Sequence, residues 1–426
     1  MSAAAPAVDR RGERRAWMVV AFGTMCSALP VFLTGALGVQ LRDDVGLSAT
    51  QIGLAMGSSF VVAATLSAPM GRLAQRLGPR RGFRCGLATT GLAMLLLAVG
   101  AREFWHFCAI LGIAGSANSL NQPSANLLLA THVSAERLGF ALATKQSGMP
   151  AAALLGGAAV PAVALTLGWQ WAFGFGAVFA AMALLLQPRD RRPDAGGRVL
   201  GDVEPAAPGS ASSVPTRPLP DLGLGLLLLY ALVGLLGATS AGAMVGFITS
   251  GAEASGLGAG VSGLVLSLGS LVGIISRIAQ GVQVDRRGVL PIQRLVWLFG
   301  LGGLGVLLLG VDQPVTYLLA PIPAFAFGWA WPGLFNLSVI RNNPSAPAAA
   351  TGISQVGVFA GAAIGPIAGG LIIDNSSYRV LWAAASSTLL VGAFIAMYLR
   401  SRIKADRIRH DQDHGRLPPL GPTTGI

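Results

Sequence analysis

Twelve stretches of this chain stay apolar for roughly 18 to 28 residues each, and an α-helix needs about 20 such residues to cross a lipid bilayer. They lie at about 16–39, 49–71, 81–101, 104–130, 139–165, 170–187, 223–250, 258–280, 290–311, 315–340, 347–373 and 380–399. The expected fold class is an all-α membrane protein with 12 transmembrane helices in two pseudo-symmetric six-helix bundles. The connections are mostly too short to hold a soluble domain. One long linker, 188–222, rich in Pro, Gly, Asp, Ser and Arg, separates an N-terminal bundle (1–187) from a C-terminal bundle (223–400). A polar, proline-containing tail (401–426) is expected to be loose.

Charge supports this layout. Only 11% of residues are charged, against roughly 25% in soluble domains. The net charge of +12 is not gathered on one soluble face, so no nucleic-acid partner is expected. Instead, 25 of the 30 basic residues fall on the termini, the linker and alternate loops. This is the bias of cytoplasmic loops. Both termini are therefore expected in the cytoplasm, with the chain spanning a bacterial-type inner membrane many times. The arginines ahead of the first apolar run resemble a twin-arginine signal, but that run is too long for one and reads as an uncleaved first helix. The three cysteines lie in apolar runs and the four histidines are scattered. Buried inert thiols and no metal site or cofactor are expected.

Two cations remain, and both sit inside apolar spans: Lys145 and Arg277. No Asp or Glu is placed in a span to neutralise them. A long cationic side chain can snorkel to the headgroups, yet charges at such depth usually face a cavity. A chain with two inward-placed cations is expected to move something anionic.

The halves repeat. Residues 47–78 align without a gap on 257–288 at an offset of 210, bringing together Gly53 and Gly263, Gly71 and Gly281, and Arg76 and Arg286. At an offset of 209, Gln146 meets Gln355 and Pro123 meets Pro332, and this register places Ser354 opposite Lys145. Repeated halves are a common plan of secondary transporters, with the substrate site between them. The loop Gly71-Arg72-Leu73-Ala74-Gln75-Arg76-Leu77-Gly78-Pro79-Arg80-Arg81 and its partner Gly281-Val282-Gln283-Val284-Asp285-Arg286-Arg287-Gly288 resemble the loop motif of the major facilitator superfamily.

That resemblance covers essentially the whole chain, and it implies alternating access by a monomer, gated around Gly71, Gln75, Arg76, Gly281, Asp285 and Arg286. Gln75 stands where the family has Asp, so the charged latch that helps hold its outward-open state is left to Asp285. Gly361 to Gly370, with Gly365 and Pro366, is similar to the glycine–proline motif of family antiporters, and close helix packing is the plainer account of it. The run Lys145-Gln146-Ser147-Gly148 with the later Gly168-Trp169-Gln170-Trp171 resembles the cyanate-transporter-like branch. The position of Arg277 resembles oxalate–formate and monocarboxylate carriers.

The expected substrate site is Lys145, Arg277, Gln146, Gln355, Asn121 and Asn336, holding a small carboxylate-like anion. Efflux of hydrophobic drugs or other small molecules is the alternative, because a neutral drug needs no buried acid. An enzyme is not expected: there is no HExxH, GxSxG or histidine–carboxylate cluster.

Overall fold

The computed structural model describes residues 10–133, 141–142, 144–187, 221–287 and 291–413, and among these it holds helices and no strand. Helix α1 (Arg10–Ala36) leads through α2 (Gly38–Val45) to α3 (Ala49–Leu77), α4 (Pro79–Gly100), α5 (Phe104–His132), α6 (Thr144–Leu167) and α7 (Trp169–Leu185). Beyond the linker come α8 (Leu224–Ala254), α9 (Ala259–Arg287) and α10 (Pro291–Leu309). Three short pieces follow, α11 (Pro314–Leu319), α12 (Pro321–Gly328) and α13 (Pro332–Arg341), then α14 (Pro347–Asn375) and α15 (Tyr378–Asp413). Nine helices among the described residues are long and apolar enough to cross a membrane. Among the described residues, helix falls in each of the twelve expected segments. Leucine, valine and tryptophan side chains such as Val99, Trp105 and Leu185 point outward and lie exposed, as suits a protein whose surroundings are lipid.

Three expectations need correction. The stretch 315–340 is not one helix, because Pro321 and Pro332 each begin a new piece. Proline brings no N–H and its ring crowds the preceding turn. The tail does not loosen at 401: α15 runs 36 residues to Asp413, about 54 Å at 1.5 Å per residue, longer than the bilayer core. Cys85 is exposed rather than buried, while Cys26 is buried and Cys108 lies between.

Glycine sets how closely the helices approach. On α14, Gly357, Gly361 and Gly365 recur every fourth residue and so share one face. A Cβ on these would lie 1.8, 2.1 and 2.3 Å from the carbonyl oxygens of Ala231, Leu235 and Thr239 on α8. Backbone rides on backbone along this contact.

The two sequence halves meet in matched seams. Between α3 and α14, a Cβ on Gly53 would lie 2.1 Å from the Pro366 oxygen. Between α6 and α9, a Cβ on Gly157 would lie 2.4 Å from the Gly263 oxygen. Gly53 and Gly263 are repeat partners at 210, and Gly157 and Pro366 at 209. A third contact joins α1 to α8, where Gly35 approaches the Val245 oxygen. Gly46 and Gly256, again 210 apart, both turn the chain at positive φ (74° and 103°) before α3 and α9, a conformation that costs glycine little.

These three glycine contacts between the halves pinch the bundle toward the arginine-poor end, the end of Arg42, Arg102 and Arg379.

Candidate functional site

Arg277 reaches across the two halves, and Lys145, next in sequence to Gln146, bonds within its own half; among the described residues, the hydrogen-bond partners of both are uncharged. Lys145 on α6 is 3% exposed. Its Nζ donates to Asn126 Oδ1 at 2.7 Å and reaches the Gln122 carbonyl oxygen at 3.5 Å, both on α5. Asn118, Gln122 and Asn126 recur every fourth residue and form one stripe; Gln122 Nε2 donates to Asn118 Oδ1 at 3.4 Å, and Ser27 of α1 donates to the same oxygen at 3.3 Å. The stripe is half-buried at Asn118 and Gln122 and exposed at Asn126, and the buried ammonium is its one charge.

Arg277 on α9 fills the break in the proline-punctuated stretch. Helix α12 ends at Gly328 and α13 starts at Pro332, so the Trp329 carbonyl falls in the gap without a helical donor four residues on, whereas the Trp331 carbonyl keeps the Phe335 N–H. The guanidinium takes up the first: Nε and Nη2 both donate to the Trp329 carbonyl oxygen, at 3.1 and 2.7 Å. Its remaining arm, Nη1, donates to the Gln146 carbonyl oxygen of α6 at 3.3 Å. One side chain thus ties helices of both sequence halves. The guanidinium also lies over the Trp329 ring, 5.2 Å from its centroid. Phe32 of α1 and Phe325 of α12 meet that ring edge-on, at 6.0 and 5.5 Å. A cation and an aromatic wall occupy the same place.

The remaining expected residues divide. Gln146 joins the site through its backbone. Gln355 and Asn336 pair with each other, Nε2 to Oδ1 at 2.8 Å. This bond is the repeat image of Lys145 with Asn126, since both residues shift by 210. The structural partner of Lys145 is therefore Gln355, not Ser354, which is fully buried and bonds to Thr351 of its own helix. Asn121 is on the wrong stripe: it is 1% exposed and faces α4, where a Cβ on Gly86 would meet its Oδ1 at 2.0 Å. The amide beside Lys145 is that of Asn126. Spacing could have found this, because 118, 122 and 126 share a face that 121 leaves.

The residues expected to gate also fall in two groups. Gly365 and Pro366 sit where α14 crosses both α8 and α3. Gly71 and Gly281 border open space, and Gln75 and Arg76 are exposed. Asp285 and Arg286 end α9, and their side chains lie outside the described residues.

Comparison with known proteins agrees with the fold. The multidrug resistance protein MdtG of Serratia proteamaculans is 31% identical over 137 residues, 32% of this chain and 32% of that protein. The MdtG of Citrobacter koseri is 34% identical over 144 residues, 30% of this chain and 34% of that protein. The matched stretch thus spans about a third of these curated relatives. The family profile described as Major Facilitator Superfamily matches residues 20–341. With nine described helices long and apolar enough to cross a membrane and a profile match over most of its length, this chain belongs to the major facilitator superfamily.

Proposed function

We propose that this transporter exports hydrophobic small molecules, neutral or acidic rather than cationic, by alternating access between two six-helix bundles, 1–187 and 223–400. The observation that carries this reading is Arg277 laid over Trp329, with Phe32 and Phe325 around the same ring. Aromatic surface accepts an apolar body, and a guanidinium without a carboxylate partner favours a negative or polar tip over a positive one. The relatives named for multidrug resistance support export of this kind. The distribution of arginine supports an inner-membrane setting with both termini and the 188–222 linker in the cytoplasm, and a monomer suffices for the mechanism.

A second reading, transport of a small carboxylate, is favoured by the guanidinium fork. It already grips one carbonyl oxygen with two donors, and a carboxylate oxygen fits the same grip.

Growth assays in cells stripped of their own pumps separate these readings. Overproduction should raise resistance to neutral and weakly acidic hydrophobic compounds and leave resistance to lipophilic cations unchanged. Protection against cations alone sinks the proposal, and accumulation of labelled small carboxylates without any protection selects the second reading. In liposomes, Arg277→Ala should lower flux on the order of tenfold or more, the worth of a charge-assisted hydrogen bond. Lys145→Ala should act in the same direction, and normal flux in both variants removes the two cations from the site.

A further inference from the structure

The pinched end has a polar fastening that the repeat does not duplicate. Helix α3 begins with four backbone N–H groups that have no partner within the helix. Local residues satisfy two: Ser48 Oγ accepts from the Gln51 N–H at 3.2 Å, and Gln51 Oε1 accepts from the Ser48 N–H at 2.9 Å. The other two are satisfied from across the seam. Asp374, in the last turn of α14, accepts from the Ala49 N–H at 3.2 Å with Oδ1 and from the Thr50 N–H at 2.7 Å with Oδ2. A carboxylate on a helix N-terminus gains from both the hydrogen bonds and the helix dipole. Arg42 of α2, whose guanidinium donates to Tyr378 Oη at 3.4 Å, brings an opposite charge close by.

The repeat shows what this fastening adds. Thr50 corresponds to Gly260, and Asp374 to Leu165. In the second seam those two also meet, but the contact is apolar, with a Cβ on Gly260 lying 3.5 Å from Leu165 Cδ1. Two seams share one geometry, and one of them is closed by a charge.

We propose that Asp374 is the clasp of the α3–α14 seam, and that its charge sets how much of the protein is closed at the arginine-poor end. The inference rests on the alternating-access reading. In the state open at that end, Asp374 and the first turn of α3 separate, and water takes over both. The clasp therefore weights the equilibrium toward the arginine-rich opening without touching substrate.

Hydrogen–deuterium exchange of the full chain in lipid nanodiscs tests this. Asp374→Asn should speed exchange through 49–57 and 363–375 and slow it through 64–77 and 347–356. The ratio of the two faces should shift roughly fivefold to tenfold, the worth of a cap. Asp374→Glu, which keeps the charge, should return toward the wild-type pattern. If Asp374→Asn does not fold, Ala49→Pro reads the same regions, because proline is tolerated at the first helical position and removes one of the two donors. Faster exchange confined to the first turn of α3, with no slowing at the other end, overturns the proposal, as does no change. Gly53→Val, which wedges the same seam, is the control. If it too gives no reciprocal shift, the alternating-access reading has failed. If it does and Asp374→Asn does not, only the clasp has failed.

Discussion

Gly53→Val should give a protein that folds, binds from the arginine-poor face and hardly transports. A Cβ at this position would lie 2.1 Å from the Pro366 carbonyl oxygen and 2.8 Å from its carbon. Both atoms are backbone, held by a helix that cannot yield locally, and packed interiors respond to such overlap by separating. The overlap exists only while α3 and α14 are closed on each other. Parting the seam relieves it at no cost to the packing within either proposed bundle. Transport needs both faces, so flux should fall on the order of a hundredfold, while the melting temperature changes little. Gly57 provides the contrast. Its Cβ would meet Ile367 Cγ1 at 2.5 Å, with the nearest backbone atom, the Ala363 oxygen, at 3.2 Å, so the overlap is with side chain first and Gly57→Ala should cost less flux than Gly53→Val. Flux and melting temperature measured on both variants check this, and a Gly53→Val protein with normal flux would show that the seam does not close during transport.

Gly357→Val should fail differently, by losing the fold. Here the Cβ would lie 1.8 Å from the Ala231 oxygen, and the contact is between α8 and α14, which lie in the same proposed bundle and have no working state in which they part. Relief at Gly357 lifts α14 away from Leu235 and Thr239 as well, because Gly361 and Gly365 ride on the same helix face. Overpacking of this kind costs about 3 kcal/mol or more. In a membrane no hydrophobic force between helices makes up the loss, since lipid solvates leucine as well as another helix does. The expected result is low yield and early aggregation in detergent. A well-behaved variant with a wild-type melting temperature would mean that the stripe is not what holds the two helices together.

Much of this was readable in the chain because lipid imposes simple rules. Span length and arginine placement pointed to the helices, and the 210-residue offset paired Gly53 with Gly263, which the structure sets at equivalent points of two interfaces. What the sequence hid depends on registers finer than one residue. Taking Lys145 with Ser354 rather than Gln355 is a slip of one, and only the matching bonds to Asn126 and Asn336 reveal it. Asn121 and Asn126 are alike in type and differ in the face they occupy. The break at Trp329 was half visible in Pro332, but nothing in the chain said that Arg277 would fill it. Asp374 reads as an ordinary residue at a span end, and its partners are backbone groups that no side-chain pattern announces.

The grip of Arg277 on the Trp329 carbonyl bears on speed as well as on selectivity. A guanidinium that already holds a carbonyl oxygen with two donors is not waiting empty for a ligand. On the proposed reading, an arriving acid must displace that oxygen and gains only the difference between a charged acceptor and a neutral one. When the acid departs, the carbonyl returns to the vacated donors, so no bare cation is left behind in a low-dielectric interior. Binding of such an acid is therefore expected to be shallow and its departure quick. For a protein whose output is counted in molecules delivered rather than molecules held, a site that releases easily raises the turnover rate.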